Sequence, residues 1–86
     1  MQLFIRGISL QKDSNIQTIN DMKKTDSTRM LYATINNMFD ITEDCYYLYQ
    51  GNKILAVTDK KLEDYNIGKD STINIHFRLG KPINIL

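Results

Sequence analysis

From Ser71 to Leu79 the chain alternates in strict period two, with Ile73, Ile75, Phe77 and Leu79 on one parity and Asn74, His76 and Arg78 on the other. Only an extended strand with one covered face turns a period of two into a consistent inside and outside. Each inner residue that is well buried contributes roughly 1.5–3 kcal/mol, so this strand is expected to be central to stability. The alternation stops at Gly80, Lys81 and the only proline, Pro82, and an apolar tail of Ile83, Ile85 and Leu86 follows.

Something must cover that face, and 86 residues leave few choices. A chain of this length buries only roughly 60% of its unfolded surface, enough for one sheet packed on one helix. The helix is expected after Thr25-Asp26-Ser27, three candidate N-caps whose side-chain oxygens can accept from free first-turn amides. Leu31, Ile35 and Met38 then recur at i, i+4 and i+7 as its apolar face, and Asp40 is expected to end it in a left-handed conformation. Other strands are expected at Met1 to Arg6, at Asn15 to Met22 (with ambiguous faces) and at Cys45 to Tyr49. In the third, alternation is read as sending Cys45 and Tyr47 inward and Tyr46 outward. A turn at Gln50 to Lys53, the apolar pair Ile54-Leu55 and a compact piece over Leu62 to Ile67 complete the order. One helix and one mixed sheet must cover each other, which predicts a two-layer α+β domain.

Composition excludes several function classes. A net charge of +1, with no lysine–arginine block longer than two, does not suit binding by phosphate neutralisation or a polybasic membrane anchor. No stretch approaches the length of a membrane span. The single cysteine, Cys45, precludes an internal disulfide and suits a reducing compartment, cytoplasm or nucleus. Nucleophilic catalysis would need Cys45 beside the only histidine, His76, yet the expected alternation sends them to opposite faces. One His and one Cys are too few for a metal site, and no glycine-rich phosphate loop is present. The chain is therefore expected to be neither an enzyme nor a cofactor carrier, and to act as a monomer.

"MQLFI" at the start, "YLYQG" in the third strand, then "LEDYNIGKDSTINI" and "FRL", in this order and spacing, resemble ubiquitin. The resemblance spans residues 1–79 and implies the β-grasp fold, a mixed sheet wrapped around one helix, with residues 80–86 a tail or linker. It also implies function. Ubiquitin-type modifiers end in arginine and two glycines, a slender terminus whose carboxylate is activated and joined to lysine. Here the run is Arg78-Leu79-Gly80-Lys81-Pro82, with a bulky lysine and a proline of fixed φ after one glycine. The expectation is therefore a non-covalent interaction domain that binds ubiquitin-pathway or proteasomal partners. The alternatives are a modifier trimmed after Gly80 and a viral or parasite mimic that occupies ubiquitin-binding proteins.

The resemblance also carries over site residues. The apolar patch through which ubiquitin is read falls on Ile8, Leu48 and His76. Phe4, with Gln2 and Thr18, would form a second surface, and Arg78 takes the place of the arginine that activating enzymes read. Lys69, and less closely Lys53, fall where ubiquitin carries chain-forming lysines, but the favoured reading of both is a solvated surface charge.

Overall fold

The computed structural model of the chain describes residues 1–7 and 16–78. Among the described residues, five strands and one helix follow in order: β1 (Leu3–Arg6), β2 (Ile16–Ile19), α1 (Thr28–Phe39), β3 (Tyr46–Gln50), β4 (Lys53–Leu55) and β5 (Ser71–Phe77). Two 3-10 turns, Glu43–Cys45 and Leu62–Tyr65, fill the connections. The strands form one mixed sheet in the order β2-β1-β5-β3-β4. β5 lies in the middle, parallel to β1 and antiparallel to β3, while the β1–β2 and β3–β4 pairs are antiparallel. With α1 packed on one face, the domain is α+β and has the β-grasp arrangement.

The helix starts where its first-turn amides find partners. The Ser27 side chain accepts from the Met30 N–H at 3.1 Å. The Arg29 and Thr28 amides donate to the carbonyls of Thr58 (2.9 Å) and Lys60 (3.0 Å). The loop at residues 58–60 thus satisfies donors that a helix N-terminus otherwise leaves free. The fully buried Thr28 hydroxyl closes the clasp by donating to Thr58 O and accepting from Thr58 N, both at 3.0 Å. Asp40 ends the helix at φ 57°, ψ 49°, with its N–H bonded to Asn36 O, the left-handed cap expected of it.

The core lies between the helix and the inner face of the sheet. Leu3 and Ile5 of β1, Ile19 of β2, Tyr46 and Leu48 of β3, Leu55 of β4, and Ile73 and Ile75 of β5 pack against Leu31, Tyr32 and Ile35. Leu62 and Ile67 close one end, and Phe77 is partly buried against the cluster. Met38 departs from the expected apolar face and is 41% exposed. The core-facing stripe runs through Thr28, Leu31, Tyr32 and Ile35, and seven residues at 3.6 per turn fall about 20° short of two turns, which sets Met38 beyond Leu31 at the stripe's edge.

The larger correction is in β3. Tyr46 and Leu48 are both fully buried, and Tyr47 and Tyr49 lie on the outer face. Every residue of Tyr46-Tyr47-Leu48-Tyr49 can fill a core position, so alternation alone does not choose between the parities, and a shift of one residue inverts the strand. The helix decides it. The Tyr32 ring stacks on Tyr46 with centroids 5.5 Å apart. The Tyr46 hydroxyl donates to Asn36 Oδ1 at 2.7 Å, and the Tyr32 hydroxyl accepts from Leu48 N at 2.9 Å and donates to Leu55 O at 2.6 Å. Cys45, expected inside the strand, ends the preceding 3-10 turn as a free, half-buried thiol.

Candidate interaction face

Alternation fixes what the outer face presents. Cross-strand partners place Ile16, Arg6, Asn74, Tyr49 and Ile54 in one row across all five strands. One pleat along, His76 and Tyr47 face each other; one pleat the other way, Thr72, Phe4 and Thr18 form a third row. The aromatic groups concentrate on β3. The Tyr47 ring lies 6.0 Å from Tyr49 and 5.2 Å from the His76 ring. The Arg78 guanidinium sits over Tyr47 at 5.4 Å, and its Nε is 3.4 Å from Tyr46 O. Ile54, 61% exposed, borders Tyr49 on the edge strand.

The expected site residues separate on this frame. His76 and Arg78 are exposed and meet at Tyr47. Leu48 is a correction: it lies in the core opposite Ile75 and Leu55 and offers nothing to a partner. Its place on the outer face is taken by Tyr49. Ile8 lies outside the described residues, as do Leu79, Gly80 and the tail. Phe4 is half-buried on the outer face beside Thr18 and Thr72, away from the tyrosines. Gln2 is tied to the opposite end of β5 by the Asp70 amide, which donates to Gln2 O at 2.7 Å. Lys53 and Lys69 are both exposed, at the start of β4 and in the turn before β5.

Tyr47, Tyr49 and Ile54 were not singled out as contact residues by the sequence. One signal pointed to them: Tyr32 and Asn36 sit four apart on the helix, polar groups that need partners on the facing strand. A tyrosine at position 46 supplies one, and that choice turns 47 and 49 outward.

Among the described residues no cluster of three or more His, Cys, Asp or Glu could hold a metal ion. No helix there is long and apolar enough to cross a membrane. Compared with known proteins, the chain matches no protein-family model and no curated protein. The functional reading therefore rests on the residues and their arrangement.

Proposed function

We propose that the chain is a ubiquitin-like protein-interaction domain that binds ubiquitin-pathway or proteasomal partners non-covalently through the outer face of its sheet. The observation that carries this is the Tyr47–Tyr49 pair, accessible on the sheet and bordered by Ile54, His76 and Arg78. Tyrosine and arginine are the residues over-represented where protein contacts concentrate their energy, because they give large apolar area with a polar end. The sequence resemblance supplies the class of partner. The reading assigns the domain no catalytic role and places it as a monomer inside the cell, where a free thiol such as Cys45 is stable.

The test is a pull-down from cell extract by the full chain and by its Tyr49→Asp variant, read for ubiquitin receptors, proteasome subunits and ubiquitin-pathway enzymes. Tyr49→Asp is expected to abolish their capture with unchanged circular dichroism. Undiminished capture by this variant would reject the face. A thioester formed by the full chain, or by a chain ending at Gly80, with activating enzyme and ATP would replace this reading with that of a covalent modifier.

A further inference from the structure

The aromatic groups of the outer face lie in a line. Along β3 the rings of Tyr49 and Tyr47 follow each other at 6.0 Å, and the Arg78 guanidinium comes next, 5.4 Å from the Tyr47 ring. Arg78 follows Phe77 on β5, and its amide donates to Cys45 O, so it stands on the side of Tyr47 away from Tyr49. Asn74 stands opposite Tyr49 on the neighbouring strand. The face thus carries a narrow aromatic track that leads from Tyr49 to a cation.

Hydrogen-bonding capacity limits what can lie along this track. Among the described residues the hydroxyls of Tyr47 and Tyr49 make no hydrogen bond, whereas those of Tyr32 and Tyr46 are both engaged. The Asn74 amide adds two donors beside them. A partner that covers these groups has to bring acceptors of its own, or leave donors stranded. An α-helix brings few, because its carbonyls are bonded within the helix. A β-strand brings them only by pairing along a sheet edge, and β3 and β5 both have a neighbouring strand on each side. A polyproline II chain makes no internal hydrogen bonds and leaves every carbonyl available above a flat surface.

Size and charge agree with the third form. A polyproline II chain rises about 3.1 Å per residue, so about four residues reach from Tyr49 to Arg78. Proline rings lay apolar area on tyrosine faces at low entropic cost, since their φ is already fixed. The charge of the face is one-sided: among the described residues the three outer rows and Arg78 hold two arginines, Arg6 and Arg78, and no carboxylate. An acidic residue just after the prolines would meet Arg78.

We propose that the tyrosine track binds a proline-rich segment of the partner in the polyproline II conformation. Its prolines lie on Tyr49 and Tyr47, its carbonyls accept from the two hydroxyls and from Asn74, and an acidic flank faces Arg78. This rests on the reading of the outer face as the contact surface and names the chemistry of what that surface takes.

The probe is the blocked peptide Pro-Pro-Leu-Pro-Pro-Glu-Glu, titrated into the isotope-labelled full chain and followed by amide and aromatic NMR shifts. Shifts are expected at Tyr47, Tyr49, Asn74 and Arg78. Replacing the four prolines by alanines should weaken binding more than tenfold. Replacing the two glutamates by lysines should weaken it about five- to tenfold, the worth of two exposed ion pairs. Tyr49→Phe keeps the ring and loses a donor, and should weaken binding about two- to tenfold. Tyr49→Asp should abolish it with unchanged circular dichroism. Four results would overturn the proposal: no shifts on the face at millimolar peptide, shifts confined to other residues, equal binding of the alanine peptide, or contacts in the free protein between residues 79–86 and the outer tyrosine rings. Failure of the proline peptide while Tyr49→Asp still abolishes partner capture would sink this inference and leave the contact face standing. Capture that survives Tyr49→Asp would sink both.

Discussion

Two pairs of tyrosines stand one residue out of phase and do opposite work. Tyr32 and Tyr46 face each other across the helix–sheet interface, stacked and buried, with both hydroxyls bonded to groups inside the protein. Tyr47 and Tyr49 point away from the helix, half-exposed, with rings 6.0 Å apart. The inner pair shows how a tyrosine core is tolerated: each phenol ends on a partner that would otherwise be unpaired. In the outer pair, Tyr47 touches His76 and Arg78. The same residue type fills the core on one parity and lies half-exposed on the outer face on the other.

The sharpest way to break this contrast is truncation. Tyr46→Ala is expected to cost about 3–5 kcal/mol in denaturant unfolding, a large share of what a domain of this size has. Tyr47→Ala should cost under about 1 kcal/mol. Comparable losses would mean that the parity of β3 is wrong. A smaller change separates packing from hydrogen bonding. Tyr32→Phe keeps the ring but strands the Leu48 N–H and the Leu55 carbonyl, so about 2 kcal/mol should be lost. A neutral outcome would show that the hydroxyl bridges nothing.

Titration sharpens the contrast further. Burial raises the pKa of both Tyr32 and Tyr46 above the ordinary value of 10.0. Below that value both residues are protonated whether the chain is folded or not, and their contribution to stability is complete. Above it the unfolded chain releases protons that the folded chain retains, so stability falls as pH rises, by up to about 1.4 kcal/mol per pH unit for each tyrosine. Denaturant melts above pH 10 should show this decline, and Tyr32→Phe should flatten it. The phenolate absorbance of the two inner residues should emerge at higher pH in the folded chain than in the unfolded one. The smallest expected effect is that of Arg78→Ala: an exposed cation over a ring is worth about 0.5–1 kcal/mol, so melting should barely move while partner capture weakens.

The sequence made the ends of the helix and β5 as far as Phe77 legible, because each rests on local chemistry. Ser27 has a hydroxyl to cap with, Asp40 is a residue that tolerates positive φ, and β5 alternates residue types that differ in polarity. The parity of β3 was not legible. Tyr46-Tyr47-Leu48-Tyr49 carries no polar contrast from one residue to the next, and what selects the register lies in Tyr32 and Asn36, ten or more positions away. Met38 misled for a related reason, since methionine is as acceptable at an exposed position as in a core. The outer face therefore presents Tyr49 in place of Leu48, while the alternation of β5 put His76 on it as expected.

The placement of β5 between β1 and β3 has a consequence for how the domain comes into being. During synthesis the first strand must wait, one side unsatisfied, until β5 has left the ribosome, because the middle strand of the described sheet is made after its four neighbours. Neither half owns a finished sheet. A chain halted before Ser71 would leave two separate hairpins beside an uncovered helix, a species suited to chaperones and proteases rather than to partners.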